Sequence, residues 1–271
     1  MRVLPTRTCA DATARRQRYP SVTDHYPVGM AQLVLSRARD AWVVATPPGV
    51  DGLSDGTLAA DLDALVTTVR RSGGGTVRWF IADTEKYAAV LADERGFRAQ
   101  RSLLQMRVEL PLDPAVRRPS DPTSLRPFRP GIDNDSWLAV NNAAFAGHPE
   151  QGNWDTTMLA QRLAEPWFSA ADFLLYEPAG RLVGFCWTKV HTETRPPMGE
   201  IFVIGVDPTH HGKGLGRRLV IAGLDHLSTR NVGTGMLYVD STNKPAVAVY
   251  ESLGFHRHRR DVAWTGHISA R

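Results

Sequence analysis

The sequence predicts an α/β protein with mixed sheet, arranged as two related domains, the second complete and the first degenerate. Three observations carry this. Segments of period two alternate with segments of helical period through residues 120–271. Six prolines fall between Pro111 and Pro130, where neither a helix nor a central strand tolerates them. The stretch "VLADERGF" in the front half is echoed by "VAVYESLGF" near the end, a weak internal repeat. The length, 271 residues, suits two domains of modest size. The expected division is 1–115 and 120–271, with the proline-rich segment as linker.

The elements follow in order. In the front half, "LAADLDALVTTVRRSGGG" reads as a helix with a glycine stop. "TVRWFIAD" is a strand, "TEKYAAVLADERGF" a helix and "LLQMRVEL" a strand. In the second half, "SLRPFRP" is a short extended segment. "DNDSWLAVNNAAFAG" is a helix, with Trp137, Val140 and Ala144 on one face and Gly147 as its stop. "DTTMLAQRLAEPWF" is a helix that opens on an Asp cap. "ADFLLYEPAGRLVGFCWTKVH" is a hairpin of two strands, and "GEIFVIGV" is the next strand. Then come the helix "GLGRRLVIAGLDHLSTRN", the strand "GMLYVDS", the helix "KPAVAVYESLGF" and the closing strand "DVAWTG". The order is β-α-α-β-β-β-α-β-α-β.

Composition narrows the function classes. Apolar residues make up 42% and charged residues 22%, which fits a packed globular chain. No apolar run approaches the roughly 20 residues that span a bilayer. The first 20 residues are Arg-rich without an apolar core segment, so they read as a mobile leader and not as a secretory signal. Cys9 and Cys186 have no metal spacing and form no expected bridge, which fits a reducing cytoplasm. Cys186, inside a strand, is read as a small core residue, with a nucleophile as the alternative. A net charge of +4 suits an anionic ligand, but apart from "HRHRR" at 256–260 the basic residues are scattered. Neither nucleic acid nor membrane is expected as a partner, and a monomer is. His210 and His211 are adjacent and have no acidic partner nearby, so no metal is expected.

The turn "HHGKGLGRR" is the most informative stretch. A helix N-terminus exposes unsatisfied N–H groups and carries roughly half a positive charge. Glycine lets the backbone bend tightly and lets a bulky anion approach the amides. His211, Gly212, Lys213, Gly214, Leu215, Gly216 and Arg217 combine these features with two cations, so a phosphate or pyrophosphate is the natural occupant. A dinucleotide-binding unit would need different glycine spacing after the first strand of a parallel sheet, and a Walker loop would need Gly-Lys-Ser/Thr. An ordinary glycine turn capping a helix is the plain alternative.

The context adds to this. Strand "GEIFVIGVDP", turn "HHGKGLGRRL", strand "LYVD" and helix "NKPAVAVYESLGF" together resemble the GNAT superfamily of acetyl-CoA-dependent acyltransferases. Its pyrophosphate motif, Gln/Arg-x-x-Gly-x-Gly/Ala, is matched at Gly214 and Gly216, with His211 at the first position. With "NNAAFAGHPEQGNW", "EPWF" and "GFCWTKVH", residues 120–265 resemble the tandem mycothiol synthases, and residues 60–112 resemble them weakly. The front half has no glycine-rich turn, and Met30 stands where that family has an acidic substrate contact.

The resemblance implies acetyl transfer from acetyl-CoA to the cysteinyl amine of cysteinyl-glucosaminyl-inositol. It implies Glu200 as amine-binding group and general base, and Tyr250 as the acid that protonates the leaving thiolate. The backbone of Ile204, Gly205 and Val206 would meet the pantetheine arm where that strand splays from its neighbour, with an amide there polarising the thioester carbonyl. Asn243, Lys244, Pro245, Ala246, Val247 and Ala248 would line the acetyl-CoA side. Lys189 and Tyr238 would contact the small-molecule acceptor with Glu200, while His148 and Glu150 fall in a substrate-side loop with open roles. Plainer readings stand beside these: a solvated acid for Glu200, core aromatics for Tyr250 and Tyr238, and a solvated lysine for Lys189. A regular strand would send Glu200, Phe202, Ile204 and Val206 to one face. Other whole-protein readings are acetylation of another small amine or a protein N-terminus, and a CoA-sensing module without catalysis.

Overall fold

The computed structural model describes residues 24–26, 33–37, 41–45, 55–118, 125–148 and 151–270. The leader with Cys9, Met30, Glu150 and the middle of the proline-rich segment lie outside the described residues. In chain order the elements are β1 (Asp24–Tyr26), β2 (Val34–Arg37), β3 (Trp42–Ala45), α1 (Asp55–Arg71), β4 (Gly75–Ala82), α2 (Lys86–Glu94), β5 (Arg98–Glu109) and β6 (Arg126–Pro127). There follow α3 (Asn134–Ala144), α4 (Thr156–Leu163), β7 (Phe173–Tyr176), β8 (Gly184–His191), β9 (Met198–Val206), α5 (Leu215–Thr229), β10 (Thr234–Asp240), α6 (Lys244–Glu251) and β11 (His256–Ile268). From β6 onward the element types and their order are those the sequence predicts.

The chain forms two compact units: Met1–Leu103 with Arg259–Arg271, and Leu104–His258. This differs from a division at the proline-rich segment. The last strand pairs antiparallel with β4 over eight positions, from Asp261↔Ala82 to Ile268↔Gly75, so most of β11 joins the front of the chain. The proline-rich segment lies inside the second unit, where Asp113 caps a 3₁₀ turn and β6 pairs with β7. Both β5 and β11 begin in one unit and end in the other.

In the first unit the strand order is β1-β2-β3-β4-β11. Helix α1 buries Leu58, Leu62, Leu65 and Val69, spaced four, three and four apart, on one stripe. Its chain reverses through Gly73 and Gly74, both at positive φ. A Cβ at Gly74 would lie 2.4 Å from the Ile268 carbonyl oxygen, so only glycine fits there.

In the second unit the order is β5-β10-β9-β8-β7-β6. One face carries α5 and a cluster that includes Leu219, Leu224, Leu237, Cys186 and Tyr250. The other carries α3 and α4 over an aromatic cluster. There Phe173 stacks on Phe128 at 4.3 Å and on Trp187 at 4.2 Å, with Trp137 edge-on to both Phe173 and Trp187. Helix α5 approaches β8 closely at Gly223, where a Cβ would lie 2.4 Å from the Cys186 sulfur.

Candidate active site

Strand β9 ends at Val206, and the next residue, Asp207, caps a short 3₁₀ turn. Its Oδ1 accepts from the Thr209 N–H at 2.9 Å and from the Thr209 hydroxyl at 2.7 Å. The chain then passes Gly212 and Gly214 at φ +75° and +72°, in the left-handed region that costs other residues roughly 1–2 kcal/mol. Gly214 is the N-cap of α5 and has no side chain with which to cap it. A Cβ at Gly212, Gly214 or Gly216 would meet nothing within 4 Å. The first-turn N–H groups of a 15-residue helix are thus uncapped beside open space, which is the environment an anion requires.

His211 and Arg217 have different tasks from those of a simple cationic fringe. The His211 Nε2 lies 3.1 Å from the Val206 carbonyl oxygen, so the imidazole fastens the turn to the end of β9. Arg217 is buried and donates to the Val116 carbonyl, tying α5 to the segment after β5. Lys213 is the exposed cation at the turn.

Beside this turn β9 and β10 part. They pair in parallel only at Gly199↔Gly235 and Glu200↔Met236, so the rest of β9, including Ile204 to Val206, runs beyond the ladder. Strand β9 also bulges: across β8 and β9, Trp187 faces Val203 while Thr188 faces Ile201, leaving Phe202 as the extra residue. This corrects the regular alternation. Phe202 packs in the aromatic cluster, as does Val203, whereas Ile204 and Val206 pack on the α5 side.

Glu200 lies on the aromatic face with two of the other expected acceptor contacts. Lys189 is its cross-strand partner, and Tyr238 lies two residues beyond its other partner, Met236, so the three side chains share one face. Lys189 is 1% exposed, and its ammonium lies 4.6 Å from the centre of the Trp167 ring. Burial pushes its pKa down to about 8, against the pull of Glu200 and Glu193. The solvated-lysine reading is therefore overturned. The Tyr238 hydroxyl accepts from the Gln105 amide. Glu200 is buried, and its Oε2 lies 2.8 Å from the His191 Nε2.

Arg162, from α4, completes this face. Its guanidinium sits 5.3 Å from the Phe202 ring centre and 3.6 Å from the Glu165 carboxylate, and burial holds its pKa below the ordinary value. The Arg162 Nε and the Trp167 Nε1 are buried without a hydrogen-bond partner.

Tyr250 belongs to the other face. It packs in the α5-side cluster beside Phe255, and burial, then the neighbouring Cys186, push its pKa up to about 12. It makes no hydrogen bond with Glu200. Cys186 is the core residue the sequence suggests, its thiol pushed up to about 12 by burial, far from a reactive thiolate. Asn243 caps α6 by accepting from the Ala246 N–H at 3.2 Å, and Pro245 lies in the first turn of that helix. Within their loop, His148 Nδ1 accepts from the Gln151 N–H at 3.0 Å.

The structure therefore gathers Lys189, Glu200 and Tyr238 on one face, gathers Gly212 to Gly216 at the head of α5, and leaves Tyr250 on the opposite cluster. Sequence reasoning passed over His191, Glu193 and Arg162. The strand period carries the signal for His191, because it stands two residues from Lys189 and so shares its face.

Comparisons with known proteins agree with this arrangement. Residues 137–255 match the model of the acetyltransferase (GNAT) family. The mycothiol acetyltransferase of Salinispora arenicola is 47% identical over 211 residues, covering 76% of this chain and 66% of that protein, just under two thirds of its length. That of Catenulispora acidiphila is 42% identical over 242 residues, covering 87% of this chain and 76% of that one. Among solved structures, a tandem GNAT protein from the clavulanic acid biosynthesis pathway superposes with a TM-score of 0.63 at 16% identity, covering 88% of this chain and 79% of that one, which speaks for the fold alone. Sheet, glycine turn and relatives agree that the chain belongs to the mycothiol acetyltransferase family of GNAT proteins.

Proposed function

We propose that this chain transfers an acetyl group from acetyl-CoA to the cysteinyl amine of cysteinyl-glucosaminyl-inositol, forming mycothiol, and that it works as a cytoplasmic monomer. One observation carries the reading. The uncapped glycine head of α5 flanks a gap between β9 and β10 whose ladder ends at Glu200. Acetyl-CoA, when bound, supplies the thioester and the diphosphate.

The chain's own groups have these roles. The amides of Gly212 to Gly216 hold the diphosphate, with Lys213 beside them. The backbone of Ile204 to Val206, beyond the ladder, lines the arm, and an amide there donates to the oxygen that gains negative charge. Glu200 takes a proton from the attacking amine, directly or through one water. Tyr250 returns a proton to the departing thiolate. Burial keeps that hydroxyl protonated, so its proton is present when negative charge develops on the sulfur. Lys189 and Tyr238 orient the sugar and inositol hydroxyls. Asn243 to Ala248 border the acetyl-CoA side, and the first unit is a degenerate GNAT-like domain without a site of its own.

A panel of amines with acetyl-CoA, read by CoA release, tests this. Turnover of cysteinyl-glucosaminyl-inositol far above other amines is expected. Met30, standing at the acidic position of the resembled family, favours a second reading in which the acceptor is another small amine. Preference for a different amine would select that reading, and no turnover of any amine would overturn both.

A further inference from the structure

A buried imidazole lies between two carboxylates at the candidate site. His191 Nε2 is 2.8 Å from Glu200 Oε2, and His191 Nδ1 is 2.9 Å from Glu193 Oε1. The His191 side chain is 5% exposed, that of Glu200 9% and that of Glu193 16%, so the imidazole is the most buried member, between two carboxylates of which Glu193 is the more exposed. The β8–β9 register, with Lys189↔Glu200 and His191↔Met198, puts His191 diagonally across from Glu200 on the face shared with Lys189. Lys189 from β8, Arg162 from α4, and Glu193 and Glu165 are the other charged groups whose fields reach this site.

We propose that His191 is the positioning residue for Glu200, held in turn by Glu193, and this rests on the acetyl-transfer reading above. A carboxylate on a strand has two rotatable bonds to fix, and a general base must lie within hydrogen-bond reach of the proton it takes. The imidazole holds one oxygen of Glu200 and leaves the other for the amine. Glu193 holds the far side of the ring and so fixes its plane, as an orienting partner does in other base–orienter pairs. The same contacts keep solvent from competing for the held oxygen.

The variants His191→Leu, His191→Gln, His191→Asn and Glu193→Ala are assayed with acetyl-CoA and the cysteinyl pseudodisaccharide, separating kcat from KM. His191→Leu is expected to lower kcat by about 100-fold with the KM for acetyl-CoA within about twofold of wild type, the pattern of a lost transition-state alignment. His191→Gln, whose amide N–H sits near the Nε2 position, is expected to recover at least about tenfold of that loss. His191→Asn, whose amide sits near Nδ1, is expected to recover none. Glu193→Ala, at the more exposed end, is expected to lower kcat several-fold and keeps the test decisive if the buried variants do not fold. Wild-type turnover with full kcat in both His191→Leu and Glu193→Ala, or equal recovery by Gln and Asn, would overturn the inference alone. Absence of wild-type turnover would overturn the acetyl-transfer reading and this inference with it.

Discussion

At the scale of single residues the account turns on polar groups buried on an aromatic sheet face. Glu200→Gln removes the proposed proton acceptor and keeps the side-chain volume. It is expected to lower kcat by at least about 100-fold while acetyl-CoA binding by calorimetry is unchanged. Tyr250→Phe should lower turnover by about tenfold or more, again with acetyl-CoA affinity kept, and full activity would mean that another group protonates the thiolate. Lys189 gives a stability prediction. Its pKa is about 8 in the fold and 10.5 in the ordinary case. Between those values the unfolded chain binds more protons than the folded one, so stability climbs as pH rises from about 8 to about 10.5. Urea unfolding across this range should show that climb for wild type and not for Lys189→Met, which should also lose affinity for the acceptor. The resemblance singled out Glu200, Lys189 and Tyr238, and the structure places the three on one face. The period of two puts His191 on the face of Lys189, but its tie to Glu200 needs the β8–β9 register, which no local period reveals.

At the scale of elements, the sequence was read well where elements are long and periodic. The ten elements from β6 to β11 follow from alternation, caps and glycine stops, and Asp155 does cap α4 by accepting from the Met158 N–H at 2.8 Å. Strands β1, β2 and β3 went unread. They have three or four residues each, too few to display a period of two, and their pairing is supplied by neighbours. The contact of α5 with β8 was also hidden, because Gly223 looks like a defect inside a helix until the Cys186 sulfur is seen beneath it. Gly223→Ala is expected to destabilise the protein by about 1–3 kcal/mol through overpacking. Adding Cys186→Ala should restore part of that loss, since the clashing sulfur is gone. Additive losses in the double variant, measured by chemical denaturation, would contradict the contact.

At the scale of the whole molecule, the two units differ in what they offer a ligand. The second has the glycine head of α5 and the parted strands β9 and β10. In the first, α2 opens after Glu85, with no left-handed residue at its N-cap. The echo between "VLADERGF" and "VAVYESLGF" corresponds to α2 and α6, each ending in a glycine at positive φ, Gly96 and Gly254. The compact units do not divide at the prolines, because prolines mark where secondary structure stops, whereas compactness follows pairing, and β11 pairs with β4. The most direct measurement is a calorimetric titration of acetyl-CoA into wild type and Gly214→Glu. A side chain with negative charge at that left-handed position would face the diphosphate. One acetyl-CoA per chain in wild type, and none in Gly214→Glu with its fold intact by circular dichroism, is the expected result. Unchanged affinity in Gly214→Glu, or two acetyl-CoA molecules per wild-type chain, would contradict the account.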